Sequence, residues 1–201
     1  MVVIAIIAIM SVSATVGIGV LKEVLAPRHA ASFIQDLIKE TEMALMREEY
    51  DEATAYLTGG RDYLVIAAKS RDAAFNLSWN NAAGCLTAPA SGELKKESER
   101  GAAEMFSVEK AETVCPVFAG AGDMEWRYRL VSAGKVSPVV RYARFNTDRP
   151  SSIFLAAGTD AEIVMTGRHA IRRLYDHGNS VNKLTLTLTD NESNSSELEI
   201  P

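Results

Sequence analysis

The side chains able to do chemistry are few and scattered. There are three histidines, His29, His169 and His177. His169 and His177 stand too far apart along one strand to share a metal unless the chain turns between them. They read as surface or turn residues. No phosphate-cradling glycine loop, nucleophile elbow or zinc spacing occurs. Asp190-Asn-Glu-Ser-Asn194 is rich in oxygen donors. A calcium ion there is one reading and a plain hairpin turn the other, since the spacing matches no EF-hand. Cys85 and Cys115 are the two cysteines. In an exported head they would form a disulfide closing a loop of about 30 residues, worth roughly 3–4 kcal/mol in the chain-entropy picture. The alternative is two unrelated buried thiols. Arg168, Arg172 and Arg173 make a small basic cluster, either a solvated sheet face or a contact for the acidic face of a neighbouring subunit's helix. Trp79, Trp126 and Tyr128 fit a ligand groove or, more simply, a core.

This inventory supplies no catalytic residue, no metal ligand set and no cofactor site, so the expectation is a protein that is not an enzyme. The net charge of −5 over 201 residues offers no footprint for nucleic acid. The weight of the sequence lies instead in what positions the chain. No charge appears between Met1 and Leu21; the first is Lys22. As a helix these residues span about 31 Å, the thickness of a bilayer's hydrocarbon core. A cleaved secretory signal, with Ser11 to Ala14 as the small-residue site, and an ordinary single-pass anchor are the two plainer readings. Lys22 and Arg28 on the C-terminal side would by themselves place the head in the cytoplasm, a vote that a basic leader upstream would reverse.

Gly17 and Gly19 are packing or bending points, and Pro27 should kink or interrupt the helix. From Arg28 to about Leu57 the apolar period is helical. Phe33, Ile34, Leu37, Ile38, Thr41, Ala44 and Leu45 share a face, and Ala53, Tyr56 and Leu57 resume it until Gly59-Gly60 ends the helix. The expected organisation is one long N-terminal helix over 1–58, with 1–21 as the membrane or filament-core half and 28–58 as the amphipathic half. The whole spine would be roughly 85 Å long. A β-rich head follows over 59–201. Strands are expected at Asp62–Ala68, Ala74–Trp79, Met124–Leu130, Val136–Phe145, Ile153–Ala156, Glu162–Thr166, Ala170–Tyr175, Leu184–Thr189 and Glu197–Ile200. Residues 80–92 read as loop and 93–106 as a short exposed helix. The fold class is α+β, a long helix laid by its apolar stripe across a mainly antiparallel sheet.

Residues 1–9, Met-Val-Val-Ile-Ala-Ile-Ile-Ala-Ile, resemble the hydrophobic core of the N-terminal motif of type IV pilins and type II secretion pseudopilins. That motif usually reads Phe-Thr-Leu-Ile-Glu-Leu-Met-Val-Val-Ile-Ala-Ile-Ile. The match covers about ten residues; the helix and head agree only in layout. The sequence starts at the motif's internal Met, so the family's leader, cleavage-site Gly, N-terminal Phe and Glu have no counterpart here. Either the true start lies upstream or the family's processing does not apply.

The resemblance implies a structural subunit of a pilus-like or secretion filament, a minor pilin or pseudopilin. Val2, Val3, Ile4, Ile6, Ile7 and Ile9 would pack the membrane and filament core, and Phe33, Ile34, Leu37 and Ile38 would join helix to head. Implied partners are other pilin or pseudopilin subunits, an inner-membrane assembly platform, membrane lipid and, if the start lies upstream, a prepilin peptidase. The implied location is the bacterial inner membrane, single pass, with the head in the periplasm or outside the cell. No cofactor is implied beyond the calcium that some pseudopilin heads hold. The competing class is a membrane-anchored or secreted β-rich binding module, or an exported hydrolase with a nonstandard site. An in-frame Gly-Phe-Thr-Leu-Ile-Glu-Leu upstream of Met1 would separate the two.

Overall fold

The computed structural model describes residues 25–47, 51–69, 77–80, 83, 85–88, 92–97, 106–111, 113–115, 125–132, 135–145, 153–167, 171–191 and 193–201. The apolar run 1–21, including Val2, Val3, Ile4, Ile6, Ile7 and Ile9, lies outside them, as do Arg168 and His169. Helix α1 covers residues 25–46, about 33 Å of rod. The strands that follow are β1 (Glu52–Thr58), β2 (Tyr63–Lys69), β3 (Ser78–Asn80), β4 (Cys85–Thr87) and β5 (Gly92–Glu97). Next come β6 (Phe106–Ala111), β7 (Thr113–Val114), β8 (Glu125–Ser132), β9 (Lys135–Arg144) and β10 (Phe154–Leu155). The last five are β11 (Asp160–Thr166), β12 (Ile171–Asp176), β13 (Asn179–Val181), β14 (Leu184–Thr189) and β15 (Ser195–Ile200).

An antiparallel sheet of nine strands, ordered β13-β12-β11-β1-β2-β9-β8-β5-β6, forms the middle layer. One side of it is covered by α1 and the three-stranded sheet β10-β14-β15; the other side packs on the small sheet β3-β4-β7. The coarse expectation of an α+β fold with a mostly antiparallel sheet holds.

Strand β2 shows why the middle layer needs two covers. Its residues Tyr63 to Ala68 are all buried. Leu64 and Ile66 enter the core shared with α1, whereas Tyr63, Val65 and Ala67 enter the opposite one. A strand wet on one face alternates apolar and polar residues; this one is apolar throughout because both faces are dry. Strand β14 is the contrasting case. Leu184, Leu186 and Leu188 are buried while Thr185, Thr187 and Thr189 face outward, and β15 pairs with it from Leu184↔Ile200 to Thr189↔Ser195.

The helix is shorter than its period suggests. It ends at Met46, and Ala53, Tyr56 and Leu57 belong to β1, not to a helix reaching residue 58. The expected 85 Å spine is therefore cut off at its C-terminal end. Both periods fit this stretch. Ala53, Ala55 and Leu57 also satisfy i, i+2, i+4, and their neighbours Thr54, Tyr56 and Thr58 favour strands. Pairing decided between them, because β1 lies between β11 and β2, with Ala55 opposite Ile163 and Ile66. Gly59-Gly60 accordingly turns β1 into β2. Gly60 takes φ +73°, and a Cβ on Gly59 would sit 2.6 Å from the Ala156 carbonyl oxygen, so neither position accepts a side chain easily.

Two further expectations are corrected. In the expected short helix over 93–106, the described residues are strand instead: 93–97 belong to β5 and 106 to β6, which pair with each other, and β5 also pairs with β8; residues 98–105 lie outside the described set. The Glu- and Lys-rich composition of β5 suits a helix, but sheet pairing on two sides outweighs that preference. Within the expected loop 80–92, Cys85–Thr87 is a strand, held between β3 and β7.

Candidate assembly surface

The buried side of α1 is a continuous stripe. Pro27, Ala30, Ala31, Ile34, Leu37, Ile38, Thr41 and Leu45 are buried, and Phe33 is half-buried against the same core. Their spacing follows the 3.6-residue period, so one face of the rod points at the sheet along its whole described length. Pro27 lies within α1 rather than before it. The four expected helix–head residues thus meet Ala53, Leu57, Ile163, Met165, Leu186 and Leu188 in one cluster. The Thr41 hydroxyl, though buried, donates to the Leu37 carbonyl at 2.8 Å, which removes the cost of hiding it.

Two ion pairs grip the rod from opposite flanks. Glu40 and Glu42 are two residues apart, or about 200° around a helix, so they project to either side of the buried stripe. On β9, Arg141 reaches Glu40 with Nη1–Oε1 at 3.1 Å and Nη2–Oε2 at 3.3 Å, a forked contact. On β12, Arg172 donates to Glu42 Oε1 from Nε at 3.0 Å and Nη2 at 2.6 Å, and from Nη1 to the Pro201 carbonyl at 3.4 Å. Strands β9 and β12 are four places apart in the sheet, about 19 Å, so the helix lies in a cradle between them. The C-terminal end touches backbone: a Cβ on Gly167 would stand 2.6 Å from the Leu45 carbonyl oxygen. The sequence left Arg172 either on a solvated sheet face or against the acidic face of a neighbouring subunit's helix. Its acidic partner is the helix of its own chain. Arg173 is exposed and points the other way, as alternation along β12 requires. The Glu40–Arg141 pair was missed; the two-residue spacing of the glutamates was its only trace in the sequence.

On the outward side of α1, Leu25, Met43 and Met46 are exposed among Arg28, Ser32, Asp36 and Lys39. Met43 and Met46 lie about one turn apart, whereas Leu25 stands alone about 27 Å away along the rod.

The far layer is stapled. Cys85 and Cys115 form a disulfide, joining the start of β4 to the residue after β7. Beneath it, Tyr142 meets Tyr63 and Tyr128 edge-on, with ring centroids 6.2 Å and 5.7 Å away, an arrangement that aromatic quadrupoles favour. Burial pushes the Tyr142 phenol well above its usual pKa, with Tyr128 and Tyr63 adding to the effect and a backbone hydrogen bond at Leu86 opposing it. Burial also raises Tyr63. Tyr56, partly buried beside Glu162, is pushed up to about 12 by desolvation first and that carboxylate second. Tyr128 is therefore a core residue rather than part of a groove; the side chains of Trp79 and Trp126 are outside the described set.

The Asp190–Asn194 stretch is a hairpin turn. The Asp190 carboxylate accepts from the Asn194 backbone N–H and from its side-chain amide, both at 2.8 Å. His177 heads the tight β12–β13 turn with φ +49°. Among the described residues no three metal-ligating side chains converge, and no helix is long and apolar enough to cross a membrane.

No protein family, curated protein or solved structure matches this chain.

Proposed function

We propose that this chain is a structural subunit of a pilus-like or type II secretion filament, a minor pilin or pseudopilin, that works by assembly rather than catalysis. One observation carries the reading. A helix sunk along one whole side into a β-rich head follows, after three residues, an uncharged run of membrane-spanning length. The two parts do different work. Residues 1–21 hold the chain in lipid, where Val2, Val3, Ile4, Ile6, Ile7 and Ile9 present an apolar surface. Packing that surface against sister helices exchanges one apolar surrounding for another, so hydrophobic free energy changes little. The head is held to the rod by Phe33, Ile34, Leu37 and Ile38 and by the two flanking ion pairs, so movement of the rod carries the head with it. In this reading the head lies outside the inner membrane, where the Cys85–Cys115 bond is stable.

The test is made on the full chain in its native membranes. The protein should resist alkaline extraction, and a photo-crosslinking side chain at Ile6 should produce a ladder of copies of the chain or of like subunits. A protein that is released by alkali, or that crosslinks at Ile6 to lipid alone, overturns the proposal.

A further inference from the structure

The β14–β15 turn carries two consecutive signals that the assembly reading does not use. Asn191-Glu-Ser193 and Asn194-Ser-Ser196 both have the form Asn-x-Ser, the acceptor pattern for N-linked sugar. Three of the chain's eight asparagines begin such a triplet, and two of the three fall in this one turn. The geometry tells the two apart. Asn194 is half-buried and its amide nitrogen is committed to Asp190 Oδ2 at 2.8 Å. Asp190 N–H donates to the Asn194 carbonyl at 3.0 Å, and Ser193 N–H to the Asp190 carbonyl at 3.2 Å. The base of the turn is thus tied shut by Asp190 and Asn194. Asn191 and Ser193 are exposed above it, and Ser193 holds a left-handed φ of +67°. The Asn191 amide has no hydrogen-bond partner among the described residues. The third triplet begins at Asn76, outside them.

We propose that Asn191 is a glycosylation site, its co-substrate a sugar carried on a polyprenyl diphosphate. The Asn191 amide nitrogen bonds to the anomeric carbon of the sugar, and the carbon–oxygen bond to the diphosphate breaks. The polyprenyl diphosphate leaves with that electron pair, and the amide proton passes to a base on the transferase. Nothing is oxidised or reduced. Ser193 supplies the hydroxyl that the pattern requires. Asn194, spent on holding the turn, is not the acceptor. The inference rests on the proposed export of the head, since the modification belongs to the non-cytoplasmic side, but not on filament assembly.

No Lys or Arg lies between residues 184 and 201, so trypsin cutting after Lys183 leaves both triplets on one peptide. In full-length protein taken from its native envelope, mass spectrometry should find this peptide heavier by a glycan attached at Asn191. Asn191→Gln and Ser193→Ala should each abolish the increment, and Asn194→Gln should leave it at Asn191. The state of the Cys85–Cys115 bond, read on the same sample, separates the two ways of failing. An oxidised bond with an unmodified peptide overturns the glycosylation site and leaves export standing. Reduced cysteines with an unmodified peptide overturn both. A glycan on Asn194, or one that survives Ser193→Ala, also sinks the assignment.

Discussion

The two sides of the nine-stranded sheet are covered in different ways. On the α1 side the contact is broad and aliphatic: Ile34, Leu57, Leu64, Leu155, Ile163, Met165, Leu186 and Leu188 are almost wholly buried in one cluster. On the β3-β4-β7 side the described cluster is aromatic at its centre, with Tyr63, Tyr128 and Tyr142, and the described strands of its cover are two or three residues long. Strands that short make few ladder hydrogen bonds of their own to offset the ordering of their backbone. The disulfide adds a covalent tie to this layer, stabilising it by restricting the unfolded chain. Among the described residues, one side is held by aliphatic packing under a helix, the other by aromatic packing under a layer that carries a covalent bond.

Breaking the aliphatic side should have the largest effect. Ile34→Asp places a carboxylate with no partner at a position of 0 % exposure and should cost about 4 kcal/mol or more. Urea titration should show a large fall in midpoint, together with protease sensitivity in α1. Removing the disulfide with Cys85→Ala and Cys115→Ala together should cost about 3 kcal/mol. Hydrogen exchange should place that loss in β3, β4 and β7, while amides of α1 and β14 keep their relative protection. Equal loss on both sides would show that the covers are not independent.

The tyrosine side should also respond to alkali. A phenol whose folded pKa lies above its unfolded value of about 10 keeps its proton in the folded state while the unfolded state releases one. Stability from Tyr56 is therefore intact below pH 10 and is lost as pH rises from 10 towards 12, by roughly 2 kcal/mol. Tyr63 and Tyr142 act in the same direction. Denaturant midpoints measured against tyrosinate absorbance should show the fall beginning near pH 10; a flat profile to pH 12 would refute it.

The smallest effect is expected at the flanks of the helix. Arg172→Ala removes a partly buried, doubly donated contact and should cost about 1 kcal/mol. Arg141→Ala, whose partner Glu40 is 55 % exposed, should cost less than about 0.5 kcal/mol and vanish in high salt. Thermal melts of both variants at low and high salt would rank the two sides of the cradle.

Local periodicity in the sequence was enough for much of this architecture. Leu184, Leu186 and Leu188 alternate with threonines, and β14 follows them residue for residue. Phe33, Ile34, Leu37 and Ile38 recur at helical spacing, and α1 turns that side to the core. Such patterns are legible because side-chain direction along a strand or helix is a local property of the backbone. Residues 52–58 show the limit. Their apolar spacing satisfies both periods, and only neighbours distant in sequence, Thr166 opposite Glu52 and Lys69 on its other side, choose the strand.

The same division runs through the candidate surface. The uncharged run 1–21, the presence of two cysteines and the doubled Asn-x-Ser turn are properties of the sequence alone. The joining of Cys85 to Cys115, the commitment of Arg172 to Glu42, and the difference between Asn191 and Asn194 are not. Each depends on which groups the folded chain brings within a few ångströms of one another. A disulfide, an ion pair or a hydrogen bond acts over that distance only, and separation along the sequence does not set it. What the residues fixed was which faces must be dry; tertiary pairing decided what those faces were dried against.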